Sequence, residues 1–276
     1  MSWRLFHRNK RVESRVMTSW FRLAVFCLLL PLAWSVSLST KAWGAAPAPM
    51  VVRADSPKSP VVSETAVLAD RILARETDDL LFDAERRREL AREIEGVLER
   101  VRYAHPEISK IYARASHVPG VLLLGVKPAL FGIVSRILGA EKGPVKLRTG
   151  NRAFDALNAR LGLRALRPYR HTGVLVMNLS ERLNMEAARR AYMATEGVEY
   201  AEFDAYLGDG PDIEAAKSGE VWRVVVRKAW GDCPSGCLYK KVFFFTVRGD
   251  EVERIESVRA MESPPFRKIL ETRRWR

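Results

Sequence analysis

Cysteine is nearly absent from this chain, with three in 276 residues. Cys27 lies inside an apolar run, which leaves Cys233 and Cys237 as the pair outside it. A disulfide-dense scaffold is therefore excluded, and any core must be held by apolar packing. Histidine is also scarce, at four residues. His105, His117 and His171 are scattered, and none has a second histidine four residues on with a glutamate between. No Gly-x-Ser-x-Gly is present either, so a zinc-protease helix and a hydrolase elbow are both missing. Zinc wants four ligands, and these spacings do not supply them. No zinc-finger, helix-turn-helix or RNP-like signature accompanies the basic charge. No repeat is visible. Residues 23–40 form the only uncharged apolar run near membrane length.

What is present begins with charge. The formal net charge is +13. Residues 1–44 hold seven Lys/Arg and one acid, so the remaining chain keeps a surplus of seven. Such a surplus favours weak attraction to anionic surfaces and does not by itself specify nucleic acid; no nucleic-acid partner is expected. Hydrophobic content of 47% and charged content of 29% are those of a globular protein.

Arg22 precedes the run 23–40 and Lys41 follows it, with Ala42 and Gly44 supplying small residues. This is the pattern of an export signal cleaved before Ala45. Met17 offers an alternative start closer to the run. An uncleaved membrane anchor is the second reading, although 18 residues interrupted by Pro31 are at the lower limit for a span. Either way the expectation is an exported protein, periplasmic or extracellular, whose only membrane contact is an uncleaved signal.

Pro47, Pro49, Pro57 and Pro60 mark 45–62 as a mobile linker. A helical region is expected over 63–118. Leu90, Ile94, Val97, Leu98 and Val101 repeat on one helix face, opposite Glu85, Arg86, Arg88, Glu89, Arg92, Glu93 and Glu99. Thr77-Asp78-Asp79 is a candidate break, and Pro106 a stop. Val121–Val126 reads as a buried strand. Leu130–Leu138 and Phe154–Leu161 read as helices, the second capped by Asn151. A strand over Gly173–Leu179, a helix from Asn184 to Thr195 and a strand over Val198–Leu207 follow.

From Glu220 the pattern is β. Val221–Ala229, Leu238–Val247 and Val252–Val258 predict a three-stranded antiparallel meander within 209–265, with Gly249-Asp250 as a hairpin turn. Asp209–Gly219 reads as the separating turn; its Gly-Asp-Gly-Pro-Asp lacks the ligand ladder of a calcium loop. Residues 266–276 are a basic tail or short helix. The fold class is thus α+β.

The middle carries a resemblance. Val121–Pro128 (VLLLGVKP), Leu157–Leu163 (LNARLGL), Thr172–Leu179 (TGVLVMNL), Ala188–Thr195 (ARRAYMAT) and Gly197–Glu202 (GVEYAE) follow in order. Together they resemble the propeptide and inhibitor domains of subtilisin-type proteases. The resemblance implies a ferredoxin-like fold over 119–208 and a role as inhibitor or chaperone of such a protease. The sequence departs from the family in two places: Phe203-Asp204 stands where Pro-Asn usually continues the motif, and Ala129–Arg148 inserts a helix and loop. The 68 residues after Gly208 are far short of a protease. Trp230–Cys237 (WGDCPSGC) resembles a motif of exported bacterial proteins of unknown function.

Cys233 and Cys237 bracket turn formers between two strands, and outside the cytoplasm a disulfide is the simplest reading. Metal binding and thiol exchange stay open as alternatives; exchange prefers Cys-x-x-Cys at a helix start. Trp222, Trp230 and Tyr239 are candidates for partner binding, because only half of an aromatic strand cluster faces a core; Phe203, Asp204 and Tyr206 are candidates because the propeptide resemblance implies that the stretch Phe203–Gly208 meets the protease. No catalytic residue, metal ligand or cofactor is assigned. The expected function is non-enzymatic binding of a protein or envelope component. The alternatives are a propeptide-type inhibitor and a thiol-exchange envelope enzyme.

Overall fold

Two helices begin the folded body because two acceptor side chains start them. The computed structural model describes residues 50–52, 62–140, 145–206 and 208–272. The expected signal over 1–44, most of the linker and residues 273–276 lie outside these. After a short strand β1 (Met50–Val52), Ser63 accepts the Ala66 N–H at the start of helix α1 (Glu64–Glu76). Asp83 accepts the Glu85 and Arg86 N–H groups at the start of α2 (Ala84–Ala104). The break falls at Thr77–Asp79, as the sequence indicated. The five apolar residues of the α2 stripe are all buried. A 3₁₀ turn at Pro106–Ile108 follows.

The middle runs β2 (His117–Val126), α3 (Pro128–Ala140), β3 (Val145–Leu147), α4 (Arg152–Arg160), β4 (Ala165–Tyr169), β5 (Val174–Asn178), α5 (Met185–Met193) and β6 (Val198–Ala205). Its main sheet has the order β4-β5-β2-β6, every neighbour antiparallel. That is the split β-α-β arrangement of ferredoxin-like folds. The three helices bury Leu130, Val134, Phe154, Ala188 and Tyr192 against Leu122, Leu124, Leu175 and Met177. β1 and β3 form a separate two-stranded ladder, Met50 opposite Leu147. This corrects the linker reading at Met50–Val52: prolines flank that stretch but do not interrupt it.

The C-terminal part holds β7 (Asp212–Ser218), β8 (Val221–Trp230), β9 (Tyr239–Arg248) and β10 (Glu251–Ile255), then α6 (Ser257–Glu262) and α7 (Pro264–Thr272). The sheet order is β10-β9-β8-β7. The three-stranded meander is therefore corrected to four strands. β7 was hidden because its inward acids, Asp212 and Glu214, read as loop residues yet are buried. At the opposite edge of the sheet β10 ends at Ile255, and Ser257 already belongs to a helix. Gly249-Asp250 closes the β9–β10 hairpin, with Gly249 at φ 54°, a conformation that suits glycine.

Register divides this sheet between two helical layers. Trp222, Val224, Val226, Phe243, Phe245 and Val247 pack with α1 and α2. Val225 and Phe244 pack on the other face with Ala260, Phe266 and Ile269 of α6 and α7. The N-terminal helices and the C-terminal sheet thus share one core, and the ferredoxin-like module is inserted between them in the chain.

Candidate functional site

A cleft of about 220 Å3 opens where the α1 layer meets the ferredoxin-like module. Helix α1 contributes Val67, Asp70, Arg71 and Ala74, which helical spacing places on one face. Phe82, Pro119, Leu183, Met185 and Phe203 add apolar wall. Backbone bonds fix the walls to each other. The Phe82 N–H donates to Arg182 O at 2.8 Å and the Asn184 N–H to Leu80 O at 3.0 Å. The buried Asn184 side chain adds a bond to Thr77 O at 3.0 Å while capping α5.

The rim is charged and already paired. Arg87 donates to Asp70 at 2.8 Å. Burial pushes the Asp70 carboxyl above its usual range, against the opposing pull of Arg87. The same hydrogen bond raises the Arg87 guanidinium. Glu181 accepts from Arg164 at 2.9 Å, and Glu186 from Arg189 at 2.6 Å. Arg71, also in the lining, donates to Asp212, Glu214 and the Ile213 carbonyl. His117 stacks on Phe203 with centroids 4.8 Å apart, and its Nδ1 lies 3.0 Å from the Ser116 hydroxyl. The arrangement offers an apolar slot bordered by fixed charge, suited to shape and apolar burial.

The other candidates separate. Asp204 follows Phe203 in β6 and faces the opposite side of the strand. Tyr206 is exposed, and its N–H donates to Ser116 O at 3.0 Å. Trp222 is buried in the helix-covered core, which removes it from any exposed binding surface. Trp230 and Tyr239 pair across β8 and β9, stacked at 5.6 Å and exposed. Cys233 and Cys237 form a disulfide that closes the turn between those strands. Cys237 is buried, and the Asp209 N–H donates to Cys233 O at 2.8 Å.

Sequence reasoning did not find the buried ionic cluster beneath β7. Asp212, Glu214 and Arg227 are all buried. Arg71 and Arg75, four residues apart on α1, donate to the Ile213 and Ala215 carbonyls at 2.5 and 2.6 Å. The signal was this i, i+4 arginine pair beside Ile72, which local charge patterning cannot tell from a solvated face. Among the described residues no group of three or more His, Cys, Asp or Glu is placed to hold a metal ion. None of the described helices is long and apolar enough to cross a membrane. The chain matches no known family, no curated protein and no solved structure.

Proposed function

We propose that this chain is an exported, non-catalytic binding protein and that the cleft beside Phe203 is its recognition site for an apolar group of a protein or envelope partner. The observation that carries the reading is the cleft's composition. Its walls are apolar, while Asp70, Glu181 and Glu186 on the rim are held in ion pairs. A site built this way binds by burial and shape, not by proton transfer. Export is supported by the apolar run 23–40 and by the Cys233–Cys237 disulfide, a bond favoured outside the cytoplasm.

The test is a photo-crosslinking amino acid placed at Ser116, on the exposed rim, in cells expressing the protein. A discrete adduct is expected from Ser116 and not from Val258, which is 72% exposed elsewhere. Identical adduct patterns from both positions, or turnover abolished by His117→Ala, would remove the reading.

The strand order β4-β5-β2-β6 favours a second reading, the propeptide-type inhibitor. In that family the chain after the last strand enters the protease cleft. Here that stretch holds bonds from Tyr206 to Ser116 and from Asp209 to Cys233, which it would have to release. Inhibition of several subtilisin-type proteases by the purified protein, weakened by Tyr206→Ala, supports this second role; no inhibition discards it.

A further inference from the structure

The β8–β9 sheet outgrows its helical cover. On the face shared with α1 and α2, Val224 and Val226 are buried, but Lys228 and Trp230 beyond them are exposed. Lys241 lies opposite Lys228, and Tyr239 opposite Trp230, so these four side chains emerge on one face. Trp230 is 45% exposed, Tyr239 58% and Leu238 69%. Lys240, between Tyr239 and Lys241, is exposed on the opposite face of the hairpin end, where its charge also acts on Asp209. Between Lys228 and Lys241 the only acid is Asp232, against those three lysines.

We propose that this disulfide-closed hairpin end docks on an anionic lipid bilayer. Three features choose lipid over other partners. Trp and Tyr, with an apolar body and a polar edge, settle at the membrane interface. Lysines beside them meet anionic head groups, each worth a sizeable share of the attraction. Protein interfaces, in contrast, are depleted in lysine, and a soluble polyanion would have no use for an exposed Leu238. The surface is also held in shape before it binds. The disulfide closes the turn, and the backbone of Gly208 packs so close to it that a Cβ there would come 3.3 Å from the Cys233 carbonyl oxygen. Little ordering entropy is then lost on docking. This contact is separate from any made by residues 23–40, and it does not depend on the cleft beside Phe203.

The experiment is vesicle flotation of the protein recovered from the envelope of expressing cells. Neutral phosphatidylcholine vesicles are compared with vesicles containing about 30% phosphatidylglycerol. The reading is the part of the anionic increment that the lysine variant loses, because a retained leader, itself basic, contributes equally to parent and variant. The anionic vesicles are expected to bind more protein, with the increment falling as salt rises. Replacing Lys228, Lys240 and Lys241 with glutamine should cut that increment by about tenfold or more. Trp230→Ser with Leu238→Ser should reduce binding while leaving its salt dependence in place. Both variants are checked for an intact disulfide by mass and for native helix content. Equal binding to both lipids, an increment unchanged in the lysine variant, or binding to heparin without binding to vesicles each overturns the proposal.

Discussion

At the scale of single residues, the energetic weight lies in a few charges buried by the edge strand β7. Glu214 is 1% exposed and bonds Arg75 at 2.9 Å and Arg71 at 3.3 Å. The same arginines occupy the Ile213 and Ala215 carbonyls on the free edge of the sheet. An edge so covered is protected from pairing with another chain. Glu214→Ala removes one member of a buried network and strands the others, so a loss of about 3–5 kcal/mol is expected in urea unfolding. A loss near zero would mean that the arginines rehydrate freely. Asp209 governs part of the acid response. Burial alone would raise its carboxyl, but the Arg227 bond, the Gly210 N–H and the charges of Arg227 and Lys240 together hold it below the usual range. Its stabilisation is therefore present above the unfolded value, about 3.9, and lost as pH falls through the lower folded value. Asp70 runs the other way: its folded pKa is raised, so its protonation on acidification favours the fold. Asp209→Asn should flatten the acid-side fall in melting temperature, and an unchanged slope would assign that fall to other carboxylates.

Single elements show where local patterning is enough. The α2 stripe and its break from α1 were legible because helical period and capping are local properties. The same holds for the β9–β10 turn. β4 was missed because Pro168 demotes its short run, and the structure uses it where proline is tolerated, at an edge. β7 was missed because its charges are inward. The hairpin end is the element with a covalent tie. Reducing Cys233–Cys237 frees a loop of few residues, so a stability loss of about 2 kcal/mol at most is expected. Differential scanning calorimetry with and without reductant measures it. A collapse of the whole transition would show that the loop holds more than its own turn.

The molecule as a whole joins what the chain separates. Phe245 of β9 is fully buried against the α1–α2 layer, and the ring of His105 at the end of α2 lies tilted against it with centroids 4.8 Å apart. Phe245→Ala is expected to cost about 3–5 kcal/mol. Hydrogen exchange should then quicken in α1 and α2 as much as in β8 and β9, and less in the ferredoxin-like module. Loss of protection confined to the sheet would contradict a shared core. The candidate sites follow the same division. Trp230, Tyr239, Cys233 and Cys237 could be singled out because aromatic runs and paired cysteines are visible in one dimension. Trp222 looked equivalent, and only the helical layer above it decided that it is core. Phe203 was singled out, but the cleft it lines is assembled from α1, the start of β2 and the start of α5. The sequence by itself determined the helix stripes, the β-rich C-terminal part, the α+β class and the nearness of the two cysteines, because periodicity, capping and turn chemistry act over a few residues. The tertiary structure alone decided which face of each strand is covered, how the buried charges find partners and where the cleft opens, because those depend on segments more than a hundred residues apart, such as Arg71 and Asp212.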